Sequence, residues 1–158
     1  MPVAPDEVEH RVELMKDALR RRGMRLTHQR LEVVREIAGA DEHPDVELLF
    51  RNVRARVPTI SLDTVYRTMA TLVDVGCVTR TTLTPGPARY DANVAHHHHF
   101  VCTRCGMARD IVDPALDAFQ VSAKSVGLGT VETIEVRLRG LCANCESRED
   151  AERGVERA

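Results

Sequence analysis

The chain has 158 residues, carries a formal net charge of −2 and is 43% hydrophobic, so it is long enough for one or two small domains and well short of a large enzyme. With three Phe, two Tyr and no Trp, its core must consist mainly of aliphatic side chains, which favours helices over an aromatic-rich sheet. Residues 1–91 contain 14 Lys+Arg and 14 Asp+Glu, and residues 92–158 contain 8 and 10, so neither half is a basic domain and any contact with DNA must be local.

No part of the sequence approaches the run of about 18 apolar residues that a membrane span requires, and we expect no membrane partner. The first 17 residues are acidic and amphipathic, unlike a signal peptide. We therefore expect a cytoplasmic protein, in which disulfides are rare and cysteines serve as metal ligands or remain thiols.

The spacing of apolar residues predicts three helices at the start of the chain. The first, over residues 7–22, should end at Gly23. The second should begin after Thr27 as its N-cap and end at Gly39, and the third should follow Pro44.

Ser61 is the expected N-cap of a fourth helix, which Gly76 ends. Its apolar face comprises Leu62, Val65, Met69, Leu72 and Val73. Its polar face comprises Thr64, Arg67, Thr68 and Thr71, with Tyr66 beside it. Two short strands, at 77–83 and 88–91, should follow around a turn at 84–87. This order is typical of a winged helix-turn-helix whose last helix reads DNA; the alternative is a helical domain with a solvated polar face.

The second half of the chain has a different pattern. Residues 92–98 are polar and should form a hinge. Short strands are expected at 100–102 and 109–112, and Asp113 with Pro114 should begin a helix. That helix would carry Leu116, Phe119, Val121 and Val126. Alternating residues predict a half-buried strand over 130–138, and the charged tail after Cys145 is expected to fray.

Two Cys-x-x-Cys pairs, Cys102 with Cys105 and Cys142 with Cys145, are the strongest chemical signal in the sequence. Each pair can chelate from one tight turn, and together they complete the four-sulfur shell of a structural zinc site. Two separate redox pairs are the alternative, but no thioredoxin-like pattern surrounds either. Cys77 stands alone and is expected to be a small buried hydrophobe.

Four consecutive histidines occupy positions 96–99. On an extended segment His97 and His99 face one side, and His96 and His98 face the other. Nearby oxygen donors are Asp91 and Asp110, and His43 lies far upstream. Imidazoles with carboxylates suit a divalent first-row metal such as Fe, Mn, Ni or Zn; a solvated histidine run is the alternative.

Several separate segments resemble the ferric uptake regulator family of bacterial repressors, most closely its peroxide-responsive members. The resemblance extends from about Val8 to Cys145. Its marks are RLTHQR at 25–30, HPDVELLF at 43–50, SLDTVYRTMATL at 61–72, ARYD at 88–91, HHHHFVCTRCG at 96–106 and LCANC at 141–145.

The resemblance implies an α+β fold, with a winged-helix DNA-binding domain over 1–91, a hinge over 92–98 and an α/β metal-binding dimerisation domain over 99–158. It implies a homodimer that represses from a palindromic double-stranded DNA operator. Structural Zn2+ would bind Cys102, Cys105, Cys142 and Cys145. Regulatory Fe2+ or Mn2+ would bind His43, Asp91, His97, His99 and Asp110. Tyr66 and Arg67 are expected at DNA bases, and the expected phosphate contacts are Thr64, Thr68, Arg20, Arg21 and Arg22.

The resemblance also bears on the signal. Asp110 is typical of peroxide sensors, in which iron-catalysed oxidation of a ligand histidine, here His43 or His97, ends repression. Arg67 after Tyr66 is more typical of iron-availability regulators. The alternative is therefore an iron-availability regulator or another metal-responsive repressor of the same family. An auxiliary metal site would use His96, His98 and Asp117, but the expected histidine at Thr133 or Ile134 is missing.

A zinc enzyme is the remote alternative, since the His run lacks a deaminase's His-x-Glu and no Pro precedes either Cys pair.

Overall fold

A computed structural model describes residues 3–82, 86–118, 127 and 131–155. The chain divides into two compact units, Met1–Ala95 and His96–Ala158. The division falls within the polar segment 92–98 that was expected to form a hinge. In the described part of the chain, no helix is long and apolar enough to cross a membrane.

The first unit consists of four helices followed by a two-stranded antiparallel sheet. The helices are α1 (Pro5–Arg21), α2 (His28–Ala38), α3 (Val46–Arg56) and α4 (Leu62–Asp74), and the strands are β1 (Thr79–Thr81) and β2 (Arg89–Asp91). This is the winged-helix outline that the sequence predicts. The hairpin is shorter than expected because the amides of Cys77 and Val78 bond to the Leu72 carbonyl at the end of α4. Residues 83–85 of its turn lie outside the described residues.

The helix ends follow from local chemistry. The Thr27 side chain accepts a hydrogen bond from the Arg30 amide, and the Ser61 hydroxyl accepts one from the Thr64 amide, so both predicted N-caps are confirmed. Gly76, with φ of +73°, follows the end of α4 in the left-handed conformation that side chains disfavour.

An aliphatic core holds the four helices together, as the composition predicts. Its largest fully buried members include Met15, Leu19, Ile37, Leu49, Met69 and Leu72. Burying each such side chain contributes about 1.5–3 kcal/mol to folding. The core therefore fixes the orientation of α4, whose outer face carries Tyr66 and Arg67.

Two residues of α4 differ from the predicted faces. Leu62, the first residue of α4, is 37% exposed and does not belong to the packed face. Thr68 was expected to contact DNA phosphates, but its side chain is completely buried and its hydroxyl donates to the Thr64 carbonyl at 2.7 Å. Thr68 lies one turn from both Val65 and Leu72, so it belongs to the packed face and is not available to DNA.

An ionic network joins α2 to α3. Glu32 is buried, and its carboxylate accepts from Arg35 at 2.6 Å and from Arg56 at 3.2 Å. Arg56 also donates to Glu36 at 2.7 Å. The hydrogen bond from Arg35, assisted by Arg56 and opposed by burial, holds the pKa of Glu32 below its usual value.

The second unit is built on a three-stranded sheet in the order β4-β3-β5. Strand β3 (His98–Cys102) pairs antiparallel with β4 (Ala108–Ile111) and parallel with β5 (Arg137–Gly140). In the described part of this unit, two helices accompany the sheet, α5 (Pro114–Asp117) and α6 (Ala143–Val155).

Three expectations for this unit need correction. The strand expected over 130–138 is confined to β5, because residues 131–136 have no regular pairing and only Arg137 onward matches the register of β3. The helix that Asp113 caps is a single turn, and Phe119, Val121 and Val126 lie outside the described residues. The tail that was expected to fray forms α6.

Glu32→Gln should lower the free energy of unfolding near neutral pH by about 1 kcal/mol, because it removes the charge from hydrogen bonds that link α2 and α3. Since the Glu32 pKa is lowered in the folded state from 4.5, its stabilisation is present above that pH and is lost as the pH falls below it. Urea unfolding of both proteins at neutral and acidic pH measures the difference.

Glu9→Gln is the matched control, since Glu9 is exposed on α1. It should change stability by less than about 0.5 kcal/mol at either pH. A Glu32→Gln deficit that stays constant as the pH falls would contradict the ionic role.

Candidate metal centres and nucleic-acid face

The parallel pairing of β3 with β5 brings the two Cys-x-x-Cys segments together. Cys102 at the end of β3 is paired with Gly140 at the end of β5, and the Thr103 amide donates to the Gly140 carbonyl at 2.8 Å. Both turns therefore leave the sheet at the same end. Gly106, with φ of +73°, closes the first turn by donating to the Cys102 carbonyl at 3.0 Å.

The four sulfurs fit a closed zinc site. They all lie within 4.8 Å of one another, and Cys105 Sγ lies 3.8 Å from Cys142 Sγ. A tetrahedral shell with zinc–sulfur bonds of about 2.3 Å requires sulfur–sulfur distances of about 3.8 Å. Four converging thiols match this shell, whereas a redox pair needs only two.

The crowding of the four thiols changes their pKa values. Burial alone would raise the pKa of Cys102, but the amides of Cys105, Cys142 and Arg104 donate to its sulfur and bring the pKa to about 6. Burial and the neighbouring cysteines raise the pKa of Cys145 to about 12. The four sulfurs therefore cannot all ionise together unless a positive ion compensates their charge.

Cys77 is separate from this group. It lies in the first unit, half-buried against the aliphatic core. Burial raises the pKa of its thiol despite the charge of Arg21, which lowers it. An un-ionised, packed thiol agrees with the structural role expected for it.

The histidine run alternates as the sequence predicts. On one side, His97 Nε2 lies 2.9 Å from His99 Nε2 and 3.4 Å from Asp110 Oδ1. His99 faces Asp110 across the β3–β4 pair. Two nitrogens bound at about 2.1 Å and a right angle to each other are about 3.0 Å apart, so this His–His–Asp group fits adjacent positions on one metal.

The other two histidines face Asp117. His96 Nε2 lies 3.8 Å and His98 Nε2 lies 3.2 Å from Asp117 Oδ1. His98 is fully buried, whereas His96 is exposed. The two sides of β3 thus present two chemically similar groups of donors.

The first unit holds a separate pair of donors. His43 and Asp91 are both buried, with His43 Nδ1 3.8 Å from Asp91 Oδ1. The Tyr90 amide donates to the Pro44 carbonyl at 2.9 Å, and Arg89 donates to the His43 carbonyl at 3.3 Å. These bonds fasten the loop before α3 to β2 and hold the imidazole beside the carboxylate.

Glu135 is a site residue that the sequence did not single out. Its Oε1 lies 2.9 Å from His99 Nδ1. Glu135 belongs to no Cys or His motif, and in the sequence it appeared only as one polar member of an alternating segment. No signal short of the contact itself could have identified it.

The outer face of α4 carries the residues expected to read DNA. Tyr66 is 49% exposed, and Arg67 is exposed and forms an ion pair with Asp63 at 2.9 Å. Thr64 is half-buried and shares a hydrogen bond with Ser61. At the end of α1, Arg20, Arg21 and Arg22 are exposed.

A winged-helix unit followed by a unit with a cysteine tetrad and histidine–carboxylate groups defines a metal-responsive transcription regulator. The model of the ferric uptake regulator family matches residues 21–138. The peroxide-responsive repressor PerR of Staphylococcus epidermidis is 28% identical over 141 residues, covering 89% of this chain and 94% of its own.

Solved structures agree with this match. A zinc-bound manganese uptake regulator is 31% identical with a TM-score of 0.70, covering 81% of this chain and 98% of its own. The Vibrio cholerae ferric uptake regulator is 26% identical with a TM-score of 0.64, covering 80% of this chain and 98% of its own. The chain belongs to the ferric uptake regulator family. It is a DNA-binding regulator, not an enzyme.

Cys142→Ser should remove tightly bound zinc from the purified protein and lower its thermal stability, because a hydroxyl replaces one thiolate of the tetrad. Cys77→Ser, the matched control, should keep full zinc content. Elemental analysis after dialysis and a thermal melt measure both effects. Equal zinc content in the two variants would exclude the tetrad as the zinc site.

Proposed function

We propose that this protein is a cytoplasmic, homodimeric repressor that binds a palindromic operator when its regulatory metal is bound and releases it on reaction with peroxide. The group of His97, His99 and Asp110 beside a separate cysteine tetrad carries this proposal. Two donor sets of different softness on one small unit suit two metals with different roles.

The regulatory metal would be shared between the two units. His43 and Asp91 supply two donors from the first unit, and His97, His99 and Asp110 supply three from the second. Neither set alone fills the coordination sphere of a first-row metal. A metal bound by both sets favours one arrangement of the units, and DNA that prefers this arrangement is bound more tightly as a result.

The donor chemistry assigns the metals. Zinc suits the four thiolates, and Fe2+ or Mn2+ suits the imidazole–carboxylate set. One relative is a zinc-bound manganese uptake regulator, which supports zinc and manganese as metals for this chain. The cysteine tetrad would be structural, since its four sulfurs leave no position open for a further ligand.

Peroxide sensing would take place on the protein itself. Bound Fe2+ would supply the redox chemistry for the reaction of the protein with hydrogen peroxide. A ring carbon of His43 or His97 would gain one oxygen atom from hydrogen peroxide, and the other oxygen would leave as water. The oxidised ring would be a poorer ligand, so the metal and then the DNA would be released. Asp110, which is typical of the peroxide-responsive members, favours this signal.

DNA binding would use the exposed face of α4. Tyr66 and Arg67, which are exposed on this face, would meet base edges in a major groove, and Arg20, Arg21 and Arg22 would contact phosphates. Dimerisation would use the second unit, in which β5 is a sheet edge and Val112, Val131 and Leu138 are exposed.

An iron-availability regulator is the second candidate, and Arg67 after Tyr66 favours it. Such a protein would lose DNA binding when Fe2+ is withdrawn and would be indifferent to peroxide. Either function would use the same five metal ligands of this chain. The two candidates are therefore separated only by how the Fe2+-loaded protein responds to peroxide.

A gel shift with Fe2+-loaded and Mn2+-loaded protein on a candidate palindrome, before and after peroxide, tests the proposal. We expect both forms to bind DNA and only the Fe2+ form to lose binding. Peptide mass spectrometry of that form should find one added oxygen on the peptide of His43 or His97. His10→Ala, an exposed histidine on α1, should respond as the wild type does.

The other outcomes are equally informative. Binding that survives peroxide with unmodified histidines would reject peroxide sensing and support the iron-availability regulator. Metal-independent binding would reject the proposed regulation altogether.

Arg67→Ala should cost about 1–3 kcal/mol at one operator base pair if Arg67 reads a guanine. Competition between operators that differ at single positions measures this loss. Arg148→Ala, an exposed residue of α6, is the control and should leave affinity unchanged. Equal weakening on every sequence would instead make Arg67 a phosphate contact.

A further inference from the structure

Residues 135 and 136 contact two consecutive histidines of β3 in opposite ways. The Glu135 carboxylate lies 2.9 Å from His99 Nδ1. The next peptide N–H, that of Val136, donates to His98 Nδ1 at 3.2 Å. One imidazole therefore faces an acceptor, and its neighbour faces a donor.

The contact with Glu135 suits His99 for metal binding. An ionised carboxylate can only accept, so His99 Nδ1 must carry a proton and donate it. A neutral ring then has its lone pair on Nε2, the atom that lies 2.9 Å from His97 Nε2. A carboxylate behind an imidazole also fixes the orientation of the ring and increases its basicity as a ligand.

The contact with Val136 has the reverse effect on His98. A peptide N–H can only donate, so His98 Nδ1 must be unprotonated, and the proton of the neutral ring sits on Nε2. That nitrogen faces Asp117 Oδ1 at 3.2 Å, and the side chain is only 1% exposed. The neutral His98 ring therefore has no lone pair left for a metal, and in the part of the chain that the structure describes its buried Nε2 makes no hydrogen bond. The residues at 133 and 134 are Thr and Ile, so they supply no further imidazole to the His96–His98 side.

We infer that Glu135 is a positioning residue for the regulatory metal, and that the 135–136 segment directs this metal to the His97–His99 side of β3 and away from the His96–His98 side. The inference rests on the proposed metal-regulated function. It assigns a role to a residue outside the five expected ligands, acting through His99.

Mn2+ is the probe, because it is redox-inert here and its free concentration can be followed by electron paramagnetic resonance. Glu135→Ala should weaken Mn2+ binding by about 10–100-fold. Glu135→Gln should fall between this variant and the wild type, because its amide oxygen still accepts from His99 Nδ1 but carries no charge. The exposed Glu132 and His96 provide the controls Glu132→Ala and His96→Ala, which should bind Mn2+ as the wild type does.

Zinc content checks that each variant is folded around its cysteine tetrad, and it should be unchanged in all four. Wild-type Mn2+ affinity in Glu135→Ala would overturn the inference while leaving the proposed function intact. Loss of Mn2+ binding in His96→Ala would overturn the selection of the His97–His99 side.

Ring tautomers give a readout that does not depend on metal binding. Long-range proton–nitrogen correlation spectra of the zinc-containing, manganese-free protein should show His99 protonated at Nδ1 and His98 protonated at Nε2. Glu135→Ala should alter the His99 pattern alone. The opposite tautomers in the wild type would overturn the inference, whereas failure of the wild type to bind Mn2+ would reject the proposed function independently of these spectra.

Discussion

The parallel pairing of β3 with β5 is the constraint on which the second unit depends. Its register places Cys102 beside Gly140, so that both Cys-x-x-Cys turns emerge at one end of the sheet. The same register brings the segment before β5 against the beginning of β3, where His98 and His99 lie. One strand pairing thus organises a sulfur site at one end and an imidazole site at the other.

Within the histidine run, the two-residue period of a strand separates similar side chains into different environments. His97 and His99 meet Asp110, and His96 and His98 meet Asp117. Composition cannot distinguish these two groups, since each has two imidazoles and one aspartate. What distinguishes them is the hydrogen bond behind each buried ring, which decides where its proton sits.

The sequence predicts whatever depends on local periodicity and capping. The helices of the first unit follow from aliphatic spacing and from caps such as Thr27 and Ser61, and the alternation of the His run follows from strand geometry. Prediction from the sequence fails where the structure of a residue depends on a partner that is distant in the chain. The extent of β5 depends on the register of β3, the burial of Thr68 depends on the packing of α4, and the role of Glu135 depends on a contact across 36 positions.

The shared strand pairing also links the two groups of ligands energetically. The hydrogen bonds between β3 and the 135–140 segment hold Glu135 against His99, and zinc bound by the tetrad would strengthen this pairing from its other end. A chain short of zinc would then hold its imidazole group less firmly. The proposed regulatory site would in this way depend on the supply of an ion that takes no part in the signal.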